Sequence, residues 1–116
     1  MLRAVTTFLM ISISTVALAQ EDFKSADAEL NTLYKQITAR LSEDEDTLHL
    51  LTVAQRAWIA FRDAECAFAA SGVEGGSAYP EILADCKAQL TLKRIEDFKT
   101  YLACEEGDLA CPVPAR

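Results

Sequence analysis

The chain has 116 residues, with 11 Lys plus Arg, 18 Asp plus Glu, a single His, four Cys and a formal net charge of −7. That length fits one domain. The acidic balance excludes a nucleic-acid binder, which needs a dense basic face, and disfavours binding to an anionic membrane surface. One His and no glycine-rich phosphate loop exclude much conventional enzymology as well.

At the N-terminus, Arg3 precedes an uncharged stretch from Ala4 to Leu18, and Ala17-Leu18-Ala19 supplies the small-x-small pattern of a signal-peptidase site. The apolar run is shorter than the about 20 residues of a membrane span, and acidic residues follow it at once. Residues 1–19 therefore read as a cleaved secretory signal and residues 20–116 as one mature domain, periplasmic or secreted. Loss of Arg3 leaves 10 basic against 18 acidic residues, a balance of −8. No Cys lies near the cleavage point, which predicts a protein without a lipid anchor and off the membrane after cleavage.

The few Gly and Pro cluster around residues 72–80 and 107–114, and between them apolar residues recur at helical spacing. Phe23, Ala26, Leu30, Leu33, Ile37 and Leu41 form the stripe of a first amphipathic helix, with Asp27, Lys35 and Arg40 off it. Ser42-Glu43-Asp44-Glu45 fits a capping box, so the acidic run Glu43 to Asp46 reads as a helix start on the positive end of the dipole. An acidic docking patch is the minor reading. The second helix places Leu50, Ala54, Ala57, Phe61, Ala64 and Phe68 on its expected buried stripe, with Trp58 beside it, and ends near Ser71-Gly72. Pro80 suits the first turn of a third helix, whose expected buried stripe is Ile82, Cys86, Leu90, Phe98 and Leu102. Short connections favour antiparallel neighbours. The fold class is all-α: a small antiparallel three-helix bundle or α-hairpin array stapled by two disulfides.

Four cysteines in an exported chain of this size imply two bridges, with three possible pairings. Cys66 and Cys86 each lie roughly 8–9 Å along their helices from the intervening connection, so they are level across the hairpin. Cys104 lies roughly 27 Å beyond Cys86 on the same helix, out of reach of a Cys66 that faces Cys86. The expected pairs are Cys66–Cys86 and Cys104–Cys111. Zinc is disfavoured, because no close Cys pair is matched by a second pair or a His at ligand spacing. No metal or cofactor is expected.

The densest chemistry lies in Gln55-Arg56-Ala57-Trp58-Ile59-Ala60-Phe61-Arg62-Asp63-Ala64-Glu65-Cys66. In one reading Trp58 fills the bundle core and Arg62 pins two helices by an ion pair with Glu65, Asp27 or Glu29. In the other, the polar rim of Gln55, Arg56, Trp58, Arg62 and Asp63 contacts a partner. Asp63 and Glu65 do not make a glycosidase pair, because positions two apart on a helix diverge by about 200°. His49 has no nucleophile to serve, and the cysteines are committed to bridges, so no enzyme is expected. The loop Gly72 to Tyr79 is anchored by Cys66–Cys86 and carries Glu74, Ser77 and Tyr79, either as an insertion element or as a plain connector.

Ala26-Asp27-Ala28-Glu29-Leu30-Asn31, Tyr34, Leu51, Gln55-Arg56-Ala57-Trp58, Phe61-Arg62-Asp63, Cys66, Gly75-Gly76-Ser77, Cys86, Leu90-Thr91 and Arg94 together resemble the domain named after the lysozyme inhibitor LprI. The resemblance covers nearly all of the mature chain. It implies a small helical, disulfide-bonded envelope or secreted domain of bacteria, whose named member inhibits lysozyme. The expectation is then a binding protein that inhibits a host or competing lysozyme, an electrostatically suitable target because common animal lysozymes are strongly basic. Occlusion of the lysozyme cleft would use an acidic face or the Gly72–Tyr79 loop. The alternative is a structural or stress-related envelope module with an endogenous periplasmic partner.

Overall fold

The computed structural model describes residues 15–115. Residues 1–14 of the expected signal segment lie outside them. Three helices account for most of the chain: α1 (Thr15–Arg40), α2 (Glu45–Ala69) and α3 (Tyr79–Leu102), with a 3-10 turn at Ser71–Val73 between the last two. No strand occurs among the described residues. The first helix thus begins at Thr15 rather than Phe23, since Val16 to Gln20 continue a helix-compatible run with neither Gly nor Pro.

The chain runs up, down and up. Arg40 at the end of α1 donates from Nη1 to the carbonyl of Leu102 at the end of α3, 2.8 Å away. At the other end Gln20 and Phe23 share a shallow cleft with Tyr79 and Pro80. Hence α1 and α3 are parallel, with α2 antiparallel to both. The principal packing is between α1 and α3, not between the sequence-adjacent pairs.

The reason is visible in the residues that meet. Ala26, Leu30 and Ile37 of α1, with Leu41 just beyond its end, are buried against Ala84, Ala88, Thr91, Ile95 and Phe98 of α3. Alanines at facing positions let two helix axes approach closely, and the larger side chains then interlock at the other end. Thr91 is fully buried, and its hydroxyl donates to the Lys87 carbonyl at 2.7 Å, which removes the cost of an unpaired polar atom. The expected stripe of α3 is therefore shifted. Phe98 is in the core, but Ile82 is 43% exposed, and Cys86 and Leu90 are only half-buried.

The helix ends are set by short-range chemistry. Asp44, not Ser42, caps α2, its carboxylate accepting from the Thr47 N–H at 3.1 Å. The Thr47 side chain and, secondarily, its backbone N–H hold the Asp44 carboxyl below its ordinary range. Only Glu45 and Asp46 of the acidic run reach the first helical turn. Pro80 does sit in the first turn of α3. Cys66 and Cys86 are bonded across α2 and α3 with Cα atoms 5.6 Å apart. Cys104 and Cys111 are bonded with Cα atoms 5.8 Å apart, closing a turn in which Gly107 takes φ +87°. That turn brings Val113 back to seal the α1–α3 core.

Candidate functional site

The second helix reverses the expectation from its apolar spacing. Leu50 is 66%, Phe61 54% and Phe68 75% exposed, and Ala54, Ala57 and Ala64 are exposed with them. The face turned toward α1 and α3 carries Gln55, Arg62 and Cys66, all buried, with Trp58 half-buried among them. The polar residues on this face each have a specific partner there, beside Leu48 and Leu51, which pack half-buried against the α1–α3 core, whereas the outward alanines and phenylalanines meet nothing within the chain that would register with them.

Those partners form a layered stack. The Arg62 guanidinium carbon lies 5.0 Å from the Phe23 ring centroid and 5.2 Å from that of Trp58. Arg94 lies 5.9 Å from Trp58 and 4.7 Å from Phe98. The order Phe23, Arg62, Trp58, Arg94, Phe98 thus alternates rings and cations from the rim of the bundle into its core. Desolvated contacts of this kind are worth about 1–2 kcal/mol each. Arg62 also donates to Asp27 of α1 at 3.2 Å and to Asp63 at 3.0 Å. Lys87 of α3 reaches Asp63 at 3.7 Å, and the Gln55 carbonyl oxygen accepts from Arg94 at 3.1 Å. Arg62 therefore pins α2 to α1 through Asp27, one of the three partners expected, with Asp63 in place of Glu65. Trp58 is packed against the core rather than filling it.

The sequence-selected residues divide accordingly. Gln55, Trp58, Arg62 and Cys66 are turned inward, and Asp63 sits half-exposed at the rim. Arg56 is exposed. Glu74 and Ser77 are exposed on the connector, where Gly75 takes φ +80°, while Tyr79 is half-buried as the first residue of α3. Gln55 and Arg62 keep only 7% and 6% of their surface exposed. No group of three or more His, Cys, Asp or Glu residues suited to a metal ion occurs among the described residues, and no helix among them is long and apolar enough to cross a membrane.

Two surface features are tertiary in origin and were not legible in the sequence. Because α1 and α3 end side by side, the α1–α2 turn with Glu43, Asp44, Glu45 and Asp46 shares one end of the molecule with Glu105, Glu106 and Asp108 of the bridged turn. This concentrates seven carboxylates there. Beside it, an apolar cavity of about 210 Å³ opens between Ile37, Leu41, Tyr101 and Val113 on one side and Leu50 and Ala54 on the other. Arg94, whose side chain ties Gln55 to Phe98, was signalled only by the Leu90-Thr91-x-x-Arg94 pattern.

A family model described as lysozyme inhibitor LprI matches residues 10–98, which span the stack, the Cys66–Cys86 bridge and most of the helical core. An uncharacterized protein of Rhizobium meliloti (strain 1021) is 34% identical over 100 residues, covering 77% of this chain and 72% of the relative. No solved structure matches the chain. The inward-facing motif residues and the matched span agree: the chain belongs to the LprI lysozyme-inhibitor family.

Proposed function

We propose that the protein is a periplasmic or secreted, non-enzymatic inhibitor that binds a basic lysozyme. The family match over residues 10–98 carries this reading. The two disulfides suit an oxidising compartment outside the cytoplasm, and the net charge of −7 suits a cationic target.

Within that reading, the acidic end is a better contact than the Gly72–Tyr79 loop. It presents seven carboxylates on two turns held by the Asp44 cap and the Cys104–Cys111 bridge, whereas the loop offers Glu74 as its acid. A dense array of like charges steers a basic partner more strongly than a single carboxylate does. The end would sit across the lysozyme cleft and exclude its polymeric substrate.

Titration of the purified protein against lysozyme-driven cell-wall lysis tests this. Inhibition is expected at low salt and weakens as salt rises. Combined Glu105→Gln, Glu106→Gln and Asp108→Asn substitutions should weaken it further, while Glu74→Gln leaves it unchanged. Loss with Glu74→Gln alone would move the contact to the loop. No inhibition at large molar excess across several lysozyme types would sink the reading, and capture of an endogenous periplasmic partner would then favour the envelope-module alternative.

A further inference from the structure

The outward face of α2 has a pattern that the inhibitor reading does not use. Leu50, Ala54, Ala57, Phe61, Ala64 and Phe68 follow one another at intervals of four, three, four, three and four residues. That is the alternation of a coiled-coil seam, sustained along nearly the whole helix and left uncovered. Val53, 51% exposed, and Ala60 widen it on one side.

We infer that this face is the interface of a two-fold homodimer, in which α2 packs antiparallel against α2 of a second copy. In that orientation Phe61 at the centre of the seam meets a small residue instead of its own copy, which it would face in a parallel pair. Reversing the helix about its midpoint sets Leu50 against Phe68, Ala54 against Ala64 and Ala57 against Phe61 of the other copy. Every member of the stripe then meets another member, as an isologous interface requires. At the centre each Phe61 ring lies over an Ala57, a large side chain into a small one. At the ends each Phe68 arrives beside Leu50, where the cavity of about 210 Å³ lined by Ile37, Leu41, Tyr101 and Val113 is open to receive a ring.

Charge selects the same partner and the same orientation. Residues 47–62 contain no carboxylate, although the chain has 18, so most of this seam lets two acidic copies meet with little repulsion, Asp63 and Glu65 flanking only its C-terminal end. A parallel pairing would set the two Glu43–Asp46 runs side by side. The antiparallel one separates them by roughly 40 Å along the pair and opposes the helix dipoles favourably. The exposed portions of Leu50, Val53, Phe61 and Phe68 amount to about 450 Å² per copy, within the range that marks an interaction site. Doubled and closed by the intervening alanines, that reaches the about 1,000 Å² a specific interface needs. The stripe lies roughly 120–140° around α2 from the Gln55, Arg62 and Cys66 face, and its Leu50 and Ala54 end borders the cavity shared with Ile37, Leu41 and Tyr101.

Sedimentation of the purified full-length chain and of Phe61→Glu tests the proposal, with crosslinking to fix the orientation. The unsubstituted protein should dimerise with rising concentration. Phe61→Glu, at a position outside the core, should keep its helical content and its Cys66–Cys86 bridge while weakening association by roughly a hundredfold or more. Ala54→Cys and Ala64→Cys proteins should crosslink when mixed and not when alone, because like positions are offset by about 15 Å in the antiparallel pair. A protein that stays monomeric at millimolar concentration overturns the proposal. So does a dimer indifferent to Phe61→Glu, or one in which Ala54→Cys crosslinks to itself. These measurements involve no lysozyme and are independent of the inhibition titration.

Discussion

The α1–α3 seam and the two faces of α2 are built from the same kind of sequence and end in opposite environments. Both α1 and α2 carry apolar residues at helical spacing. On α1 the stripe is buried, with Leu30 at 1% and Ile37 at 0% exposure; on α2 it is in solvent, and Gln55 and Arg62 are buried instead. The difference lies in what each face can meet. Small residues on α1 and α3 permit close approach, and dispersion and apolar burial then reward it. The inward face of α2 adds the guanidinium–arene stack and its ion pairs to the apolar packing of Leu48, Leu51 and Trp58. Apolar area decides the first interface, and directional partner chemistry joins it at the second.

The comparison is tested most severely at Phe98, which belongs to both. It is fully buried in the α1–α3 core and is the inner ring of the stack, 4.7 Å from the Arg94 guanidinium carbon. Phe98→Ala should cost about 3–5 kcal/mol in denaturant unfolding, enough to remove much of the stability of a domain of this size. A loss near 1 kcal/mol would mean that the core tolerates the cavity and that the α1–α3 seam is not the main source of stability.

Next comes the covalent tie that holds α2 to that seam. Replacing both Cys66 and Cys86 by Ala opens a loop of 20 residues and should cost roughly 3 kcal/mol. If α2 depended on the bridge alone, it would fray in the variant, and hydrogen exchange would show α2 amides unprotected while α1 and α3 stay protected. The stack predicts the other result: exchange quickens together in all three helices, at lower overall stability.

How far these interfaces were legible follows from the same distinction. The helices, the Pro80 start and both bridges are local or fixed by spacing, and the sequence shows them; for Arg62 it offers Glu65, Asp27 and Glu29 alike, and packing selects Asp27. The stripe Leu50 to Phe68 shows that α2 is amphipathic, but periodicity cannot say which side of a helix the rest of the chain will occupy. The Gln55, Trp58, Arg62, Cys66 set lies at the same helical spacing as the apolar one, on another face, and its burial rests on distant residues, Phe23 against Arg62 and Arg94 against Trp58 and Gln55. The acidic end was equally hidden, because Glu43 to Asp46 reads locally as a helix start and meets Glu105 to Asp108 only after α1 and α3 align.

Arg62 separates the two accounts of the inward face at a smaller magnitude. Arg62→Met keeps much of the side chain's apolar length but removes the ion pairs to Asp27 and Asp63 and the cationic layer between Phe23 and Trp58. The two carboxylates freed are about half-exposed and can be rehydrated, so the loss should be about 1–2 kcal/mol rather than the larger penalty of a stranded buried charge. A double-mutant cycle with Asp27→Asn should return a coupling of about 0.5–1 kcal/mol. A stabilising Arg62→Met would show that burial of α2 is apolar after all and that the cation is retained for another purpose.

The smallest effect is the most informative about the outward face. Phe68 is a large aromatic residue on an amphipathic helix, and by sequence alone its replacement ought to cost as much as a core truncation. It is 75% exposed, so in dilute solution Phe68→Gln should change unfolding stability by no more than about 0.5 kcal/mol. A ring that contributes nothing to its own fold yet completes a regular seam has a use only when that seam is covered. The same variant should therefore lower the thermal midpoint at high protein concentration, where association stabilises the native state by mass action, and leave it unchanged when dilute. A large loss at both concentrations would place Phe68 in the fold itself and remove the contrast between the two faces of α2.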